Sequence, residues 1–197
     1  MVNVIKDVDL IDHVSEYDVI LVGANIYGHM NGGFQFDVKR RYPYVHEANI
    51  SAPYGDINRM GTVLESKEDG KPTFCLCYIV DQITTRPDLN KVNVSYESIE
   101  KCLKLVSTLY KGKKIASTLL GTSQFDGNGD TDTVLPIFEK ILGNEDVTIY
   151  DFKQECIYRK WRKAYNTGKT IKKKNGVEAW KRYIEQSKNN LTKKSKK

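Results

Sequence analysis

The sequence lacks a membrane span: no apolar run approaches the roughly 20 residues that a bilayer helix requires. Cysteine is scarce. The four are Cys75, Cys77, Cys102 and Cys156. None forms a CxxC pair and three sit inside apolar patterns, so they read as reduced core thiols, not as a metal or disulfide framework. No metal site and no cofactor is expected. The N-terminal "MVNVIKDVDL" has neither the apolar centre nor the basic start of a secretory signal. The expectation is an intracellular, cytoplasmic protein without membrane attachment.

Charge is unevenly spread. The formal net charge is +6, yet residues 1–152 hold 15 Lys and Arg against 22 Asp and Glu, a net of −7. Residues 153–197 hold 16 against 3, a net of +13. The basic balance therefore belongs to the tail.

The acidic part alternates between strand-like and helix-like patterns. "VNVI" (Val2–Ile5) is β-branched, and "DVILV" (Asp18–Val22) is apolar enough to be buried on both faces. Phe34, Val38 and Arg41 start a short helix that Pro43 is expected to close. "GTVLES" and "KPTFCLCYIV" flank Glu68-Asp69-Gly70 and read as a hairpin. Ser95 caps a helix over 95–109, with Ile99, Cys102, Leu103, Val106 and Leu109 on one face. "KKIASTLL" is another buried strand. Thr131–Leu142 is a helix aligning Val134, Ile137, Phe138 and Ile141, ended by Gly143, and "DVTIYDF" is the last strand. Strands alternating with helices imply an α/β fold, a three-layer α/β/α sandwich on a mixed, largely parallel sheet.

Beyond residue 152 the pattern changes. Ile157, Trp161 and Tyr165 fall at helical spacing, as do Val177, Trp180 and Ile184. Residues 153–186 read as a basic, aromatic-containing helical extension, and 187–197 as a disordered lysine-rich tail. "NTGKT" imitates the end of a P-loop, but that motif needs glycine where Lys163 stands, and no strand precedes it. The aromatics Tyr158, Trp161 and Tyr165 either dock on the main domain or, with Lys172-Lys173-Lys174, bind nucleic acid through phosphate contacts and stacking.

Two segments rich in glycine each follow a buried strand and precede a helix. The first is "YGHMNGGFQFDVKRRYP" (Tyr27–Pro43) and the second "GTSQFDGNGD" (Gly121–Asp130). In parallel α/β sheets such loops lie at the carboxyl edge, where ligands bind. Helix starts leave backbone N–H groups unpaired and favour anions.

"ILVGANIYGHMNGGFQFDVKRRYP" resembles the first signature of macro domains, a "VNAAN" strand end followed by a glycine run and a helix. Ala24-Asn25 match the final "AN", and Gly32-Gly33 match the end of the glycine run. Met30, Gly33 and "KRRYP" are closer to phage-type macro proteins and the terminal ADP-ribose protein glycohydrolase branch, as are "GTVLES…YIVDQ" and "YESIEKCLKLV". "IASTLLGTSQFDGNGD…VLPIFEKIL…VTIYDF" resembles the second signature. The likeness covers about residues 2–152, and residues 1–152 are read as the macro domain.

The resemblance implies an ADP-ribose pocket. Asp9 is the candidate for contacting adenine, with Asp7 as its rival. Asn25 would sit by the distal ribose. Met30, Asn31, Gly32, Gly33 and Phe34 would wrap that ribose and a phosphate. Gly121, Thr122, Ser123, Gly127, Asn128 and Gly129 would cradle the diphosphate. Two departures bear on chemistry. The glycohydrolase branch attacks with a lysine where this chain has Asp81 and Gln82. The other hydrolytic branch uses an aspartate where Gln35 stands, and glutamine is not a general base. Asp130 in "GNGD", with Asp126 and His29, is then the candidate for positioning water or moving a proton. The plainer readings are that Asp130 or Asp132 caps the following helix, His29 is solvated, Asn25 shapes a turn and Asp9 is a surface carboxylate.

The expected function is binding of ADP-ribose or a close derivative, with hydrolysis of ADP-ribose 1''-phosphate or an ADP-ribosyl ester as its enzymatic form. The alternatives are a non-catalytic reader of ADP-ribosylated proteins or of a nucleotide-derived signal, and a nucleic-acid-binding protein acting through its tail.

Overall fold

The apolar run around residues 18–22 forms the centre of the sheet. In the computed structural model, which describes residues 2–82, 91–123 and 127–152, it belongs to a strand, Val19–Asn25, with all but one residue buried. In chain order the strands are β1 (Asn3–Lys6), β2 (Val19–Asn25), β3 (Val63–Ser66), β4 (Thr73–Val80), β5 (Lys114–Thr118) and β6 (Asp146–Asp151). The helices are α1 (Gly33–Arg41), α2 (Pro43–Ser51), α3 (Tyr96–Leu109) and α4 (Thr131–Leu142).

The six strands lie in the order β1-β6-β5-β2-β4-β3. Every neighbouring pair is parallel except β3 with β4, the expected hairpin, in which Val63 faces Cys77 and Ser66 faces Phe74. The sheet is thus mixed and largely parallel. Strand periodicity divides its side chains between two cores. Val19 and Leu21 of β2 and Cys75, Cys77 and Ile79 of β4 pack with Ile99, Leu103 and Val106 of α3 and with Phe138 of α4. Ile20 and Val22 of β2 and Phe74, Leu76 and Tyr78 of β4 pack with Val38 of α1, Val45 of α2 and a short 3-10 turn at Leu10–Asp12. Helices cover both faces, which gives the three layers.

Local signals explain most boundaries. Ser95 accepts a hydrogen bond from the Ser98 N–H at 3.1 Å and caps α3. Cys75, Cys77 and Cys102 are buried free thiols, and burial pushes the Cys75 thiol up to about 12.

Two expectations need correction. Pro43 does not simply close the first helix: it occupies the first turn of α2, where its missing N–H leaves no hydrogen bond unmade. Leu109 does not join the buried face of α3 but is 56% exposed, because the helix ends there and the core beside it is filled by Tyr110. The extension at 153–186 and the tail at 187–197 lie outside the described residues, as does Cys156.

This division of α3 is open to measurement. Leu103→Ala, in the core, should cost about 2–5 kcal/mol in urea unfolding. Leu109→Ala should stay within about 0.5 kcal/mol of the parent. Equal losses at the two positions would contradict the packing described for this helix.

Candidate functional site

Strands β2 and β5 are neighbours, and the chain leaves them toward opposite faces of the sheet. After β2 it runs through residues 26–32 (loop 1) into α1. After β5 it runs through residues 119–130 (loop 2) into α4, on the other face. A parallel sheet opens a crevice at such a reversal, outside the carboxyl ends of its strands. The two glycine-bearing loops flank it. Loop 2 passes over β2, where a Cβ placed on Gly23 would lie 3.7 Å from the Gly121 nitrogen.

Loop 1 is shaped by Asn25, which is 8% exposed. Its Oδ1 accepts from the N–H groups of Tyr27 (3.2 Å) and His29 (3.1 Å), and its Nδ2 donates to the His29 carbonyl at 2.8 Å. The carboxamide is largely consumed in holding the turn. Gly28 and Gly33 both adopt left-handed backbone, at φ 71° and 55°. Met30 is fully buried against the core containing Val38, and Phe34 packs at its margin. Asn31 is exposed, and its Nδ2 lies 3.4 Å from the His29 ring.

The start of α1 is open. Gly32 is its N-cap and offers no side-chain bond to the first-turn N–H groups, and no acidic residue stands there. A Cβ added at Gly32 or Gly33 would meet nothing within 4 Å. Among the described residues the first-turn amides have no capping side chain, and they carry the positive end of the helix dipole.

Loop 2 uses its glycines differently. The Gly129 N–H donates to the Gly121 carbonyl at 2.9 Å, and the Asn128 N–H donates to the Ser123 carbonyl at 2.9 Å. The N–H groups of Asn93 and Val94 both donate to the Gly127 carbonyl. A Cβ on Gly121 or Gly127 would run into Val94 or the loop's own backbone, and one on Gly129 would lie 2.7 Å from Val94 Cγ1. These glycines are required because the loop folds tightly on itself. Thr122 is tied back to the Leu119 carbonyl through its hydroxyl at 2.9 Å.

Asp130 caps α4. One carboxylate oxygen accepts from the Asp132 N–H at 3.3 Å, and the other accepts from the Thr133 hydroxyl at 2.8 Å. Its own N–H donates to the Tyr96 hydroxyl at 2.9 Å. Asp132 stands exposed in the first turn of that helix. Asp126 lies outside the described residues. His29 stands half-exposed at the edge of loop 1, with its ring 6.4 Å from that of Tyr54.

Asp9 caps the 3-10 turn after β1, accepting from the Ile11 N–H at 3.2 Å. Burial holds its carboxyl above the ordinary range, with Asp37 and Asp12 adding to the effect. Its rival Asp7 is exposed and sits at φ 61°. Arg41 ties this turn to α1, donating to the Ile11 carbonyl at 3.1 Å and pairing with Asp12 at 2.8 Å. Where a lysine would be needed, the Asp81 carbonyl accepts the Tyr27 hydroxyl at 2.9 Å and Gln82 accepts from Lys91 at 2.6 Å. Gln35 lies in the first turn of α1.

Several residues around loop 1 carry no sequence signal. Arg59 is 8% exposed and clamps the loop, donating through Nη1 to the carbonyls of Ile26 (3.2 Å) and Pro53 (3.0 Å). Its guanidinium lies 3.8 Å over the Tyr78 ring. The Tyr78 hydroxyl donates to Asn49 Oδ1 at 2.8 Å. Tyr78 of β4 joins Arg59 and Asn49, from which it is well separated in sequence. Among the described residues, no group of three or more side chains could hold a metal ion, and no helix is long and apolar enough to cross a membrane.

No family model matches the sequence, and no curated protein matches it. Solved structures do. A protein of unknown function from Bacteroides thetaiotaomicron aligns with a TM-score of 0.60 at 18% identity, over 77% of this chain and 98% of that one. The macrodomain of Mycobacterium tuberculosis DarG aligns with a TM-score of 0.57 at 19% identity, over 77% and 97%. Thermosipho africanus DarTG in complex with ADP-ribose aligns with a TM-score of 0.56 at 19% identity, over 75% of this chain and 41% of that one. The likeness to these structures, over three quarters of the chain, identifies the fold of this protein as that of the macrodomains.

Proposed function

We propose that the crevice between loops 1 and 2 binds ADP-ribose or a close derivative. The observation that carries this reading is the uncapped start of α1, where Gly32 and Gly33 present bare backbone to open space. A diphosphate accepts hydrogen bonds from such amides, and the helix dipole favours its charge. Loop 2 supplies the opposite wall through Gly121, Thr122, Ser123 and Gly127–Gly129. Asp9 takes the adenine end, and Met30–Phe34 line the distal ribose. The Thermosipho africanus structure, which has the same fold and holds ADP-ribose, supports the assignment.

The energetics suffice. A hydrogen bond to a charged group contributes about 1.5–3 kcal/mol. Three of them with burial of the adenine reach the roughly −8 kcal/mol of micromolar affinity after ordering costs.

Binding without turnover, as in a reader of ADP-ribosylated proteins, is the form the side chains favour. Both Asp130 oxygens are engaged in capping α4. Lysine and aspartate are absent at the positions the hydrolytic branches use. If hydrolysis occurs, His29 of loop 1 is the candidate for moving the proton, and release of phosphate from ADP-ribose 1''-phosphate is the reaction that would reveal it.

Calorimetry with ADP-ribose should give a dissociation constant in the micromolar range. Gly32→Val should weaken it by at least about tenfold, by filling the space in front of the amides, while the melting temperature shifts only slightly. Gly121→Ala should instead destabilise the fold by about 2 kcal/mol or more, through positive φ and collision with Val94. Full affinity in Gly32→Val would remove α1 from the site.

Asp130→Ala should cost about 1 kcal/mol of stability through loss of the cap, and Asp130→Asn should restore most of it. Both should bind ADP-ribose as the parent does. If Asp130→Asn kept the stability but abolished phosphate release from ADP-ribose 1''-phosphate, the carboxylate would be chemical and not structural.

A further inference from the structure

A second space adjoins loop 1. It is a cavity of about 360 Å3 walled by Tyr27–Asn31, by Lys39 of α1, by His46, Asn49 and Ile50 of α2, and by Ala52 and Tyr54. No described residue of loop 2 lines it, which sets it apart from the loop 2 side of the crevice.

Its charge is unusual for this part of the chain. Residues 1–152 carry a net charge of −7, yet the lining contains a lysine, two histidines and no carboxylate. Among the described residues, Lys39 has no carboxylate partner. Behind the wall stands Arg59, buried and likewise without a carboxylate partner among the described residues, its Nη2 making no hydrogen bond. A buried cation with no counter-charge raises the potential around it and favours an anion nearby.

The donors are also incompletely used. Asn49 is 0% exposed. Its Oδ1 is taken by the Tyr78 hydroxyl, and its Nδ2 has no partner. His46 Nδ1 is buried without a partner as well. Buried polar atoms in native proteins are seldom left unpaired, and a cluster of them beside a cavity calls for an occupant. Burial and the neighbouring Lys39 lower the His46 pKa, so its neutral ring has both a donor and an acceptor nitrogen.

The space is too large for an anion alone and falls in the size class of small-molecule sites. One side offers flat rings. Tyr54, 73% exposed, makes an edge contact with Tyr27 at 5.2 Å between centroids. We propose that this cavity is a second ligand site, taking a nucleoside monophosphate or a phosphomonoester of that shape, with its phosphate toward Lys39, His46 and Asn49 and its flat body against Tyr54 and Tyr27.

The site does not depend on what the crevice binds. The test is a titration of the full chain with AMP and with inorganic phosphate, first alone and then with ADP-ribose in excess. AMP should bind with and without ADP-ribose, and more tightly than phosphate. Lys39→Glu should weaken AMP binding by about tenfold or more, and Tyr54→Ala by about threefold or more, since both remove contacts made only here. Lys39 and Tyr54 are partly and mostly exposed, so both variants should fold, and ADP-ribose affinity should be unchanged in each. The proposal is overturned if AMP fails to bind, if excess ADP-ribose displaces it, if phosphate binds as tightly as AMP, or if Lys39→Glu leaves AMP affinity intact.

Discussion

The pairing of β2 with β4 on one side and β5 on the other constrains everything that this domain presents at its carboxyl edge. Both neighbours are parallel to β2, so all three strands end at the same edge. The connections that follow β2 and β5 must then be carried away by helices on opposite faces. Two loops part at that point, and the gap between them cannot be filled by either strand. The candidate site is a consequence of topology before it is a matter of particular side chains.

The same sheet assigns the two loops different physical tasks. Loop 2 closes on itself through the bond from the Gly129 N–H to the Gly121 carbonyl, takes bonds from Asn93 and Val94 at the Gly127 carbonyl and packs on Val94, so its glycines exist for internal fit. Loop 1 is held from outside, by Asn25 at its base and by Arg59 from the turn beyond α2. Its glycines Gly32 and Gly33 touch nothing and leave amides open. One loop supplies a rigid rim and the other supplies donors. Loop 1 also supplies one wall of the cavity lined by Lys39 and His46.

The acidic surface around this edge is managed by local bonding. Asp9 and Asp130 both cap helical turns, and Asp12 pairs with Arg41. Carboxylates that would repel a diphosphate are thus turned toward backbone N–H groups or a guanidinium. Asp130 illustrates how a single residue type in a loop motif is compatible with both a capping and a chemical role. Geometry favours the first, because both oxygens already have donors.

The sequence by itself determined the elements and their class. Short apolar runs alternating with helical patterns fit a parallel sheet buried on both faces, the Glu68-Asp69-Gly70 turn suits adjacent antiparallel strands, and Ser95 and Asp130 mark helix starts through capping chemistry. It also placed both glycine loops at strand ends. Tertiary structure alone decided which glycines stand in open space and which are packed, because that depends on Val94, a residue from another segment. It decided that Pro43 begins a helix and that Leu109 faces outward, since proline suits a first turn as well as a stop and helical spacing carries no record of where the core ends. It joined Arg59, Tyr78 and Asn49 into one buried cluster. Their contacts span three separate elements, and no periodicity along a chain encodes a meeting of that kind.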